Sequence, residues 1–153
     1  FIPEPVEVTI DGAPSQEIEL DLHPDHRKGG RAFHCNDKFY LTKEDINYFK
    51  EKENIRLMDC LNFTIKNKEE MKFNFHSVEF EHVKGNAKLI HWLPVHNTID
   101  VEVVMDDGNI IKGKGERLLE DLDEGDIVQF VRFGFCRLDS IEENKLIFWF
   151  GHK

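Results

Sequence analysis

Residues 125–139, GDIVQFVRFGFCRLD, set one amide and two guanidiniums, those of Gln129, Arg132 and Arg137, among mostly apolar residues between Asp126 and Asp139. None of these side chains is a nucleophile or a general base at neutral pH, so the chemistry they offer is recognition. A glutamine amide presents a donor and an acceptor side by side. An arginine presents a planar fork of donors suited to the oxygens of a phosphate or a base. Such groups select a ligand by its hydrogen-bonding edge without breaking a bond.

Signatures of catalysis are missing elsewhere in the chain. There is no GxSxG elbow, no Gly-rich phosphate loop, and no Ser or Cys with a base at a recognisable spacing. Cys35, Cys60 and Cys136 are odd in number and far apart, which fits neither a disulfide framework nor a CxxC metal site. A reducing compartment, the cytoplasm, is the expectation. His23, His26 and His34 cluster, but no HxxxH or HExxH pattern joins them to carboxylates, so no metal site is expected. No apolar run approaches the roughly 18 residues of a membrane span, and FIPEPVEVTIDG lacks the layout of a signal peptide. FIPEP, without an initiator methionine, reads like the interior of a polypeptide entering a strand, so a longer parent protein is expected.

The net charge of -10 argues against a nucleic-acid partner only if it is spread evenly. It is not. HPDHRKGGRAFH, residues 23–34, opposes one acid, Asp25, to Arg27, Lys28, Arg31 and three histidines, whereas GERLLEDLDEGD, residues 115–126, holds six acids and one arginine. A basic side and an acidic side follow. Arg27, Lys28 and Arg31 belong to a glycine-containing loop in this reading, free to approach a phosphate chain.

The elements that must position these groups are mostly strands. PVEVTI, EIELDL, IRLMDCLNFTIK, MKFNFHSVEFEHV, IDVEVVM, DIVQFVRF and KLIFWF run with strand character, and MDDGNI places Asp107-Gly108 between two such runs as a hairpin turn. One helix interrupts them in LTKEDINYFKEKEN, with Thr42 as N-cap, Asp45 three residues on, and Ile46 and Phe49 facing inward. GERLLEDL can form a second short helical turn. The fold class is mainly β: two small antiparallel β-barrels in tandem with one or two short helices, spanning residues 1–86 and 87–153, joined near HVKGNAK with strands free to cross. Gln129 and Arg132 lie three apart, so an unbroken strand would point them to opposite faces; a bulge or strand end near Arg132, helped by Gly134, is required for them to converge.

GNAKLIHWLP, VEVVMDDGNIIKGKGE, GDIVQFVRFGFCRLD and IFWFGHK, in that order, resemble the C-terminal part of the archaeal and eukaryotic type of glutamyl-tRNA synthetase, and glutaminyl-tRNA synthetase is similar. The resemblance continues upstream through PVEVTIDG, HPDHRKGGR, FYLTKEDI and IRLMDCLNFTI. It implies the tRNA anticodon-binding portion, two β-barrels, of an enzyme whose catalytic domain lies outside this segment. The active-site motifs of such synthetases are absent here. The implied parent is a glutamate-tRNA ligase using ATP and Mg2+, with tRNA(Glu) as partner, tRNA(Gln) as an open second one, the catalytic domain of the same chain, and other synthetases in an assembly. No cofactor is implied for the segment itself.

The resemblance further implies that Gln129 and Arg132 face the middle anticodon base, a uridine. The amide complements the O4 acceptor and N3-H donor of uracil, and cytosine reverses both. Val131 stands where relatives often carry a glutamate that would support the arginine. Arg56 aligns with a strand that reads the third base, although Met58 replaces a second arginine there. Arg27, Lys28, Arg31 and Arg137 are implied contacts of the anticodon loop, and Phe133 and Phe135 implied stacking faces. Each has an ordinary alternative: an outward strand amide for Gln129, a salt bridge to residues 115–126 for Arg132 and Arg137, a pair with Asp59 for Arg56. Trp92 and Trp149 read as structural. Two other functional classes stay open, a barrel that binds double-helical RNA without anticodon preference and a protein-docking module using the acidic side.

Overall fold

The computed structural model describes residues 1–153. In chain order the elements are β1 (Ile2–Pro3), β2 (Pro5–Asp11), β3 (Gln16–His23), β4 (His26–Cys35), β5 (Lys38–Thr42) and helix α1 (Lys43–Asn47). Then come β6 (Asn54–Leu57), β7 (Asn62–Asn67), β8 (Lys72–Ser77), a 3-10 turn (Phe80–Val83), β9 (Lys88–Ile90) and β10 (Leu93–Pro94). The last part holds β11 (Thr98–Val104), β12 (Ile110–Glu116), a second 3-10 turn (Arg117–Asp121), β13 (Ile127–Phe130), β14 (Gly134–Glu142) and β15 (Lys145–His152).

Alternation decides which face each strand buries. In β2, Val8 and Ile10 are buried while Glu7, Thr9 and Asp11 are exposed; in β11, Ile99, Val101 and Val103 repeat the pattern. These inward faces build two cores. The first gathers Phe39, Phe49, Phe63 and Phe73 with Trp92, whose indole N–H donates to the Met58 carbonyl at 2.7 Å. The second gathers Phe1, Val101, Val103, Phe130, Leu138 and Phe148. Each such buried side chain contributes about 1.5–3 kcal/mol.

The strands form a seven-stranded sheet of order β10-β5-β2-β8-β7-β6-β9, a six-stranded sheet of order β1-β12-β11-β15-β14-β13, and the two-stranded hairpin β3-β4. Most pairs are antiparallel, but β2-β8, β6-β9 and β11-β15 are parallel. A boundary at 86/87 is crossed in both directions: β1 pairs with β12 in the second sheet, while β9 and β10 pair with β6 and β5 in the first. Phe1 lies in the second core, and Ile90, Trp92 and Leu93 lie in the first.

Several local expectations change. The basic stretch at 27–31 is not a loop but part of β4, which pairs with β3 from Gly30 to Cys35 and again at His26, with a bulge between. The positive φ of Gly29 and Gly30 lets this strand bend past Glu19 and Asp21, whose carboxylates accept from the Gly30 and Gly29 N–H groups. The strand-patterned stretch through 71–83 stops being strand at Ser77 and turns into the Phe80–Val83 segment. Helix α1 spans only Lys43–Asn47; Thr42 caps it, accepting from the Asp45 N–H at 3.0 Å, and Ile46 and Phe49 are buried.

Candidate nucleic-acid interface

In β13, Val128 and Phe130 turn toward the second core, leaving Ile127 and Gln129 exposed on the outer face. The strand ends at Phe130. Arg132 adopts a left-handed backbone, φ 61°, in a turn closed by the Phe133 N–H donating to the Phe130 carbonyl at 2.9 Å. Gly134, φ 144°, begins β14 where a Cβ would meet the His152 carbonyl oxygen at 2.7 Å. The turn breaks the period-two rule, so Gln129 and Arg132 reach the same groove despite their three-residue spacing.

That groove has a volume of about 1060 Å³ and runs between hairpin β3-β4 and the edge of the second sheet. Arg27, Arg31, Gln129, Arg132 and Phe135 line it, with His91 and Trp92 on its inner side. A neighbouring groove of about 910 Å³ contains Lys43, Lys112 and Lys114 and shares the wall formed by Phe1, His91, Val131 and Arg132.

Two ion pairs span the joint with opposite polarity. Arg132, from the second sheet, donates through both terminal nitrogens to the Asp45 carboxylate at 2.9 Å each. The Asp45 side chain is 4% exposed and that of Arg132 46%. Burial alone would raise the Asp45 pKa, but the hydrogen bonds from Arg132 and Thr42 outweigh it and hold the carboxyl below its ordinary value. Arg31, from the hairpin, donates through Nε to both oxygens of Glu116 at 3.0 Å and through a terminal nitrogen to the Asp21 carbonyl at 3.3 Å. The salt bridge that the sequence offers Arg132 with residues 115–126 is therefore not made; Asp45, on the helix of the other unit, takes the guanidinium.

The remaining site residues separate by location. Arg27 and Lys28 are exposed on β4. Arg56 is far from free: it is 9% exposed, donates to Asn62 Oδ1 at 3.0 Å and the Val78 carbonyl at 2.7 Å, and lies over the Phe80 ring. Its ordinary alternative, a pair with Asp59, is replaced by this network. Phe133 packs edge-on against Phe1 and Phe150 and is half-buried, while Phe135 lies against the His152 ring at the groove. Arg137 is exposed with a long 3.4 Å contact to Asp139, not to residues 115–126. Trp92 is buried, but Trp149, expected to seal the barrel, is 52% exposed because it occupies the outer face of β15.

Sequence reasoning missed two groups. Asp45 looks like an ordinary helix-capping acid, and nothing local betrays its partner 87 residues away. His91 is 8% exposed, and its Nε2 has no hydrogen-bond partner. Burial first, then the charges of Arg31 and Arg132, push its pKa well below the ordinary value, so the ring is neutral. No group of three or more His, Cys, Asp or Glu side chains is placed to hold a metal ion. No helix is long and apolar enough to cross a membrane.

Comparison with known families decides what such a paired-sheet groove belongs to. Residues 1–84 match the family model described as tRNA synthetases class I (E and Q), anti-codon binding domain, and residues 89–139 match a second model of the same description. The chain belongs to this anticodon-binding family. Over its whole length it is 42% identical to a Glutamate--tRNA ligase of Methanobrevibacter smithii, covering 27% of that protein. It is 35% and 37% identical to those of Pyrococcus abyssi and Pyrococcus furiosus, covering 28% of each. The chain thus spans little more than a quarter of the curated relatives it matches. In this anticodon-binding domain, the first matched segment contributes Arg27, Arg31 and Asp45, and the second contributes Gln129 and Arg132. The groove lies where the two segments meet.

Proposed function

We propose that this chain reads the anticodon for a glutamate-tRNA ligase, whose catalytic portion, outside these residues, uses ATP and Mg2+ in the cytoplasm to join glutamate to tRNA(Glu). The names of the relatives support the parent activity. The observation that carries the reading is the convergence of Gln129 and Arg132 on one groove, produced by the turn at residues 131–133. An unstacked base entering the groove would meet the exposed Gln129 amide, whose donor and acceptor match the O4 and N3-H edge of uracil and oppose that of cytosine. Arg132 spends two of its five N–H donors on Asp45 and directs the others toward the ligand. Arg27 and Lys28 follow the phosphate chain, contributing affinity without sequence information. Arg31 and Arg56, committed to Glu116 and to Asn62 with Val78, act by shaping the site. Acceptance of tRNA(Gln) as a second substrate, and assembly with other synthetases, are extensions of the same proposal.

The test is the affinity of the full-length parent for tRNA(Glu) transcripts with U or C at the middle anticodon position, at one salt concentration. A preference of about tenfold or more for U, lost in Gln129→Ala, is expected from one bidentate hydrogen-bonded edge. Equal affinity of the wild type for both transcripts would overturn the assignment.

A further inference from the structure

The outer face of the second sheet carries more than Gln129. Strand register places Ile127 opposite Arg137, Arg137 opposite Trp149, Trp149 opposite Val104, and Val104 opposite Ile110. Directly paired residues project from the same side of a sheet, so these side chains form one row across five strands. The row is bare: Ile127 is 70%, Ile110 55% and Trp149 52% exposed. Further along the same face the charges are paired across strands, Lys112 and Lys145 with Glu102, and Lys114 with Asp100. The row is thus the part of the face that lacks internal partners for its large side chains.

Its position joins it to the groove. Ile127 lines the groove and is two residues from Gln129 on the same face of β13. Trp149 lies two strands farther in, about 12 Å from Gln129 by ordinary strand spacings, within reach of nearby nucleotides in a splayed strand. Arg137 stands between, an exposed guanidinium held only by the 3.4 Å contact to Asp139. An exposed indole beside a loosely held cation on a sheet face suits a base and its phosphate, since any base has a π-face to stack and every linkage has a charge to meet.

We propose that Trp149 is a stacking platform for an unpaired nucleobase of the same single-stranded RNA whose middle base Gln129 reads, with Arg137 on the adjoining phosphate; this rests on the anticodon reading above. The platform selects for an unstacked base, not for its identity. It extends the binding surface from the groove onto the open face of β13, β14 and β15.

The experiment uses the full-length parent and tRNA(Glu) transcripts carrying a single abasic site at successive anticodon-loop positions. Trp149→Ala should weaken binding of the intact transcript about tenfold, and Trp149→Phe should restore most of it. The U-over-C preference should survive in Trp149→Ala, because Gln129 is untouched. At one loop position the abasic transcript should bind wild type and Trp149→Ala equally. Arg137→Gln should weaken binding of all transcripts and reduce its salt dependence. The proposal is overturned if Trp149→Ala binds the intact transcript as wild type does. It is equally overturned if the variant's deficit persists at every abasic position, or if only melting temperature or kcat changes, which would assign the row to protein docking. Loss of the U-over-C preference in the wild type would instead sink the anticodon reading, and is distinguishable because it does not involve Trp149.

Discussion

The Arg132 guanidinium is held end-on by the Asp45 carboxylate through two hydrogen bonds of 2.9 Å, across the joint between the sheets. The pair is lopsided, since the acid is buried and the base is half exposed. Removing Arg132 leaves a buried charge, so Arg132→Ala should lower stability by about 2–3 kcal/mol in urea denaturation. Asp45→Asn keeps the cap geometry but releases the guanidinium. It should reduce affinity for tRNA in step with Arg132→Ala; affinity equal to wild type would show that Asp45 does not position Arg132.

Arg56 separates structural from reading roles. Its buried hydrogen bonds to Asn62 and the Val78 carbonyl predict that Arg56→Ala costs about 2–4 kcal/mol of stability, and that Arg56→Lys, lacking the planar fork, recovers little. The thermal unfolding midpoint measures this. Unchanged melting with altered third-base preference would show that Arg56 is a direct reader.

The basic strand predicts a split between neighbours. Arg27→Ala and Lys28→Ala should each leave the melting temperature unchanged and reduce the slope of log affinity against log salt by about 1. Arg31→Ala should instead lower the melting temperature by breaking the tie to Glu116. Equal salt slopes in wild type, Arg27→Ala and Lys28→Ala would remove both from the phosphate path.

His91 makes the protein acid-sensitive. The folded chain keeps it neutral while the unfolded chain protonates it near its ordinary pKa of about 6.5, so below that pH the unfolded state binds the extra proton. Stability should therefore rise with pH up to about 6.5, His91 contributing at most about 1.4 kcal/mol per pH unit. His91→Gln should flatten the profile below about pH 6.5. Asp45 has the opposite origin but the same sign: its lowered pKa makes its contribution present above the ordinary carboxyl pKa of about 3.9 and lost as pH falls below it.

Much of this was legible in the residues. Period-two patterns mark β2 and β11, Asp107-Gly108 marks a hairpin whose Gly108 has φ 84°, and Thr42 with Asp45 marks the cap of α1. Once the resemblance sets Gln129 and Arg132 on one base, their three-residue spacing requires a strand end between them. Partners fixed only by tertiary register were hidden. Ile55, Arg56 and Leu57 are buried in succession, so alternation could not reveal that Arg56 points inward. Trp149 lies in a run apolar on both faces, and only pairing with Arg137 shows which side meets solvent. The loop assigned to residues 27–31 was a strand because two glycines absorb a bend that pairing tolerates.

The chain passes between the sheets twice, once at Glu4 and again between Pro94 and Thr98. With two crossings, a cut in the backbone at either one alone leaves the sheets covalently joined through the other. The two grooves have the wall of Phe1, His91, Val131 and Arg132 in common, so a side chain changed in that wall reshapes both at once.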